Sequence, residues 1–91
     1  LPEELRDPET AAAYLSASIE DGAVDEFLVA LRNVAEAHGG LGVLSEITNL
    51  NRQSMYKMLS EEGNPRLASL LSLLKAIGIS LTFTTSEKNA A

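Results

Sequence analysis

The chain contains no cysteine, no tryptophan and a single histidine. Without cysteine there is no disulfide framework and no thiolate metal site. One histidine and no glycine-rich phosphate loop leave little from which to build a catalytic centre. Carboxylates are plentiful, but they fall on solvent-facing positions of amphipathic helices rather than on an evident cleft. We therefore expect no enzyme, no cofactor and no metal. Only four residues are aromatic, whereas Leu and Ala dominate. That balance suits helices better than a sandwich or barrel, which would draw on β-branched and aromatic residues. No apolar run approaches the roughly 20 residues that span a bilayer. No stretch reads as a signal peptide, so the expected compartment is the cytoplasm and no membrane is involved. Position 1 is Leu rather than Met, which suggests a trimmed start.

What is present makes one domain. Ninety-one residues leave no room for two independent cores. A hydrophobic fraction of 45% separates the chain from disordered acidic sequences. A small domain without staples relies on packing, and a second chain would help it. The formal net charge is -6, but the charges divide along the chain. Residues 1–40 hold nine acids and only two bases, Arg6 and Arg32. Residues 41–78 hold four bases (Arg52, Lys57, Arg66, Lys75) and three acids, Glu46, Glu61 and Glu62. The segment 79–91 balances Glu87 with Lys88. These three stretches are read as acidic N-terminal helices, a central helical unit, and a terminal strand with its tail.

Helix punctuation is legible throughout. Asp7 caps and Pro8 opens a helix to about Glu20, with Ala11, Leu15 and Ile19 on one stripe and Gly22 as the stop. A second helix, from Ala23 to about Ala37, carries Val24, Phe27, Leu28, Leu31, Val34 and Ala35 at helical spacing. His38, Gly39 and Gly40 end it, with His38 as a cap or exposed to solvent. A short third helix, Leu41 to Thr48, presents Leu41, Leu44 and Ile47. Asn49 and Leu50 make a tight turn, and Asn51 caps a fourth helix running to Ser60. Gly63 breaks the chain, Asn64 caps, and Pro65 starts a fifth helix to Ile77 that buries Leu67, Leu70, Leu71 and Leu74. Gly78 closes it. The period then changes: Leu81 and Phe83 alternate with Ser80, Thr82 and Thr84, a strand signal. A lone strand needs a partner, most simply the same strand of a second chain, unless Leu81 and Phe83 fold back on their own core.

The stretch LGVLSEITNLNRQSMYKMLS is the functional candidate. Two short helices joined by a tight turn cross steeply and need a small residue at the approach, which Ser45 supplies. Asn49 tolerates a left-handed turn better than any residue but glycine. Leu50, Met55 and Met58 are spaced to pin the unit to the core. That leaves Arg52, Gln53, Ser54, Tyr56 and Lys57 outward, residue types that read base edges and grip phosphates. Tyr56 has two readings, stacking on a DNA backbone or packing against the fifth helix.

These residues resemble the helix-turn-helix of lambda-repressor-like (Cro/C1-type) domains, with Leu44, Ser45, Leu50, Met55 and Met58 at the family's fixed positions. Asn49 stands where glycine is commonest and Thr48 where an aliphatic residue is usual. The flanks EGNPRLASLLSLLKAIGISLTF and LRDPETAAAYLSASIEDG resemble one branch of that superfamily, the probable addiction-module antidote proteins. The resemblance covers about residues 5 to 84. It implies an all-α five-helix bundle with a helix-turn-helix and a short C-terminal β-strand for dimer pairing. It implies a bacterial type II antitoxin that represses its own operon and neutralises a small basic toxin of the RelE/ParE superfamily. By position, Asn51, Arg52, Gln53, Ser54, Tyr56, Lys57, Asn64 and Arg66 would contact operator DNA, and Leu81 and Phe83 would pair a homodimer. Glu9, Glu20, Asp21, Asp25 and Glu26 would face the basic toxin, where complementary charge speeds encounter. A solitary helix-turn-helix regulator and a helical interaction module that has lost DNA binding remain as alternatives.

Overall fold

A computed structural model describes residues 3–20, 22–60 and 63–86. Five α-helices follow a single 3-10 turn at Glu4–Arg6: α1 (Pro8–Ile19), α2 (Val24–Ala37), α3 (Gly40–Thr48), α4 (Arg52–Met58) and α5 (Leu67–Ile77). The α1 helix and the 3-10 turn pack on α2, and α3 bridges α2 to both α4 and α5. Two neighbouring helices, α2 and α3, therefore carry the rest.

Local chemistry starts and stops these helices. The Asp7 carboxylate accepts from the Thr10 amide at 3.0 Å and from the Thr10 hydroxyl at 2.8 Å, and Pro8 occupies the first turn. His38 caps α2, and its Nε2 lies 2.8 Å from the Leu5 carbonyl oxygen. A carbonyl can only accept, so that ring nitrogen carries the proton. The imidazole thus fastens the 3-10 turn to the end of α2, a tether beyond the cap expected of it. At the far end, Gly78 takes φ 93°. Its amide bonds Lys75 while the Ile79 amide reaches Leu74 at 2.9 Å, the paired bonds of a Schellman ending.

The core draws on every helix. Ala11 and Leu15 meet Leu28, Leu31, Val34 and Ala35 of α2. Leu41 and Leu44 of α3, Met55 and Met58 of α4, and Leu73, Leu74 and Ile77 of α5 complete it. Several expected core positions lie outside. Ile19 and Val24 sit at helix ends, past the packed overlap of α1 and α2, and are exposed. Ile47, in the last turn of the short α3, is 64% exposed. In α5 the register differs from the expected one. Leucines at 67, 70, 71, 73 and 74 offer more than one apolar stripe, and tertiary packing selects 70, 73, 74 and 77. Leu67 and Leu71 consequently face out.

Two other expectations need correction. Helix α5 starts at Leu67 with extended Arg66 as its N-cap residue, so Asn64 does not cap it and Pro65 does not open it. Helix α4 likewise ends at Met58, two residues early. There is no strand among the described residues: residues 79–86 run on without a ladder, and Phe83 is 90% exposed. A strand needs a neighbour to take its amides and carbonyls, and the described residues supply none. Neither Leu81 nor Phe83 folds back onto the buried core. No helix among the described residues is long and apolar enough to cross a membrane.

Candidate nucleic-acid interface

The α3–α4 unit is built around its turn. Ser45, half-buried, donates its hydroxyl to the Gly42 carbonyl at 2.8 Å, which keeps the small side chain against its own helix. Asn49 is the only non-glycine residue with positive φ among the described residues, at 62°. Thr48 explains its own departure from an aliphatic. Its hydroxyl donates to the Leu44 carbonyl at 2.7 Å and accepts from the Leu50 amide at 3.3 Å, clasping the turn from inside. Leu50 is half-buried against the core. Asn51, in extended backbone, then accepts the Ser54 amide at 3.1 Å and caps α4.

With Met55, Met58 and Leu59 buried, helical geometry decides what the rest of α4 can do. Gln53 and Lys57, four residues apart, share the outward ridge, and both are exposed. Ser54 and Lys57 turn one flank toward α5. There they line an open cleft of about 540 Å³ with Asn51, Asn64, Arg66 and Ser69. Five of the eight candidate DNA-contacting residues are thus gathered in one cleft. Gly63 closes its floor: a Cβ there would lie 2.2 Å from the Met58 carbonyl oxygen, so the chain passes α4 with no space for a side chain.

Arg52 and Tyr56 occupy the opposite flank. The Arg52 guanidinium lies 5.9 Å from the centre of the Tyr56 ring, and Arg32 of α2 approaches the same ring at 5.7 Å. Neither sequence reading of Tyr56 included this arrangement, in which the ring is a platform for two arginines. Arg52 also lies along α3, where a Cβ on Gly42 would meet its Cζ at 3.3 Å. Sequence reasoning gave no role to Gly42 or Arg32, although Arg32 is one of two bases among nine acids in the first forty residues. Thr48 stood out only as a departure from an aliphatic and Gly63 only as a breaker, without the contacts that explain them.

The acidic candidates do not form one site. Asp25 and Glu26 line a shallow groove between α1 and α2 with Tyr14, Ser18 and Val29. Glu9 and Glu20 are exposed at the two ends of α1, apart from that groove, and Asp21 lies outside the described residues. Among the described residues no group of three His or acidic side chains is placed to hold a metal ion.

Residues 1–85 match the family model described as "Probable addiction module antidote protein". A curated relative from Haemophilus influenzae, itself described only as an uncharacterized protein, is 27% identical over 77 residues, spanning 85% of this chain and 78% of its own length. No solved structure matches significantly. With nearly its whole length covered by that model, the chain belongs to the family of probable addiction module antidote proteins.

Proposed function

We propose that the protein is the DNA-binding antitoxin of a type II toxin–antitoxin pair, a sequence-specific repressor of its own operon built on a lambda-repressor-like helix-turn-helix. Membership of an antidote family implies a toxin partner. That the toxin is a small basic protein of the RelE/ParE superfamily, met by Asp25 and Glu26 at the groove between α1 and α2, is part of the proposal. The observation that carries the DNA reading is the outward ridge of α4, Gln53 and Lys57, set beside the cleft that holds Asn64 and Arg66. Gln53 can pair bidentately with adenine, while Lys57 and Arg66 neutralise phosphates. Gln53→Ala is expected to cost about 1–3 kcal/mol at one base position and relax specificity there. Lys57→Ala is expected to weaken binding evenly across sequences and to reduce the salt slope by about one. If both variants bind the operator as the parent does, α4 is not the reading helix.

Two half-sites about one helical turn apart, ~34–36 Å, require a two-fold dimer. The exposed Leu81 and Phe83 favour pairing of the C-terminal segments across that axis. Replacing both with Glu is expected to leave monomers that bind the operator weakly. A double variant that still sediments as a dimer would remove this pairing from the proposal.

The deciding experiment co-expresses the chain with a His-tagged product of the neighbouring reading frame, then measures promoter binding at two salt concentrations. A complex that binds the promoter, less tightly at high salt, supports both halves of the reading. Promoter binding without a complex leaves a solitary regulator. A complex without DNA binding favours an interaction module.

A further inference from the structure

Arg32 and Arg52 are twenty residues apart on different helices, yet both guanidiniums come to the one Tyr56 ring. Glu36, one turn along α2 from Arg32, points its carboxylate toward Gly40, where it would lie 3.6 Å from a Cβ. Contact with a ring face holds the guanidinium plane but leaves its charge and its edge N–H groups free. Two positive charges within 6 Å of one ring centre leave a local excess of positive charge that an anion would offset. Arg52 is further held by the bare surface of α3 at Gly42, so the pair is positioned before any ligand arrives.

We propose that Arg32 and Arg52, steadied by Tyr56, grip the phosphates of one DNA backbone strand beside the groove that α4 enters. This rests on the DNA-binding reading of α4 and extends the interface to α2. An element lying in the major groove has a backbone on each side. Asn64 and Arg66 stand on one flank of α4, across the cleft from Ser54 and Lys57. Arg32 and Arg52 stand on the other. The assignment takes Arg52 away from base reading, because a guanidinium laid over Tyr56 and Gly42 is directed sideways from the Gln53–Lys57 ridge. Arginine suits this task better than lysine, since its planar fork can stack on the ring and bind two phosphate oxygens at once.

The test is a salt series of operator-duplex binding for the parent, Arg32→Ala and Arg52→Ala, with Arg32→Gln as the substitute should the alanine variant melt early. Each removed arginine is expected to lower the slope of log K against log salt by about one. The weakening should be uniform across point-substituted operators. Arg32→Lys should retain most of the slope. If Arg32→Ala and Arg32→Gln keep the parent's affinity and slope while Lys57→Ala loses both, the grip is overturned and the α4 reading stands. If the Arg52 variant loses preference at one base position instead of binding weakly everywhere, Arg52 reads a base and the pairing is wrong. A parent chain with no salt-dependent binding to its promoter overturns the DNA reading and this inference with it.

Discussion

Two short connections hold α4, and they constrain the backbone for opposite reasons. Before the helix, Asn49 turns left-handed at φ 62°, a conformation in which an ordinary side chain crowds its own carbonyl. After it, Gly63 has no left-handed φ, but a side chain there would run into the end of α4, with Met58 and Lys57 carbonyl oxygens at 2.2 and 2.9 Å from a Cβ. The first constraint is conformational and belongs to the residue itself. The second is steric and belongs to what the chain passes. Together they fix the position of the helix that would meet DNA, so breaking either shifts Gln53 and Lys57 along with it.

Gly63→Ala should have the larger effect. The new methyl meets backbone oxygen rather than the tip of a flexible side chain, so the loop or the end of α4 must move. Overpacking of this kind costs about 1–3 kcal/mol, and the upper end fits a backbone obstacle. For a domain of this size the melting temperature should fall by roughly 10–20 °C. An unchanged melting temperature would mean that the loop simply swings away from α4, and the steric half of the contrast would collapse.

Asn49 comes next and separates conformation from side-chain chemistry. Asn49→Ala is expected to lose about 1–2 kcal/mol by forcing a Cβ-bearing residue without a local polar partner into the left-handed region. Asn49→Gly should match or exceed the parent in thermal melting, because glycine enters that region freely. If both substitutions destabilise equally, the amide of Asn49 carries the turn and the backbone argument fails.

The contrast also explains what the sequence could reveal. Asn49, Asn51, Asp7 and Gly78 act through their own backbone and nearest neighbours, so residue type and spacing were enough to assign them. Met55 and Met58 followed from spacing alone. Gly63 read as a breaker, although its reason is the approach to Met58, which no local pattern records. The α5 register failed for a related cause. Its leucines satisfy more than one stripe, and only packing into the shared core, chiefly against α3, chooses between them. The flank made by Arg32 and Tyr56 was beyond reach for the same reason, since it joins α2 to α4 across twenty-four positions of sequence. The outward ridge of α4 was legible because two buried methionines on a short helix leave few positions free.

The smallest effect is expected at Gly42, where a steric constraint exists but is soft. A Cβ there would lie 3.3 Å from the Arg52 Cζ, the end of a flexible side chain that can yield by a few tenths of an ångström. Gly42 lies within α3, outside the left-handed region, and alanine favours a helix interior by up to about 1 kcal/mol over glycine. Gly42→Ala should therefore raise the melting temperature by a few degrees, the opposite sign to Gly63→Ala although both add one methyl. Its effect on DNA binding is the informative part. A more stable variant that binds the promoter less tightly would show that the seat beneath Arg52 is tuned for the interface rather than for the fold. A variant that loses stability would mean that the Arg52 guanidinium is held too firmly to yield, which would make this contact as hard as the one at Gly63.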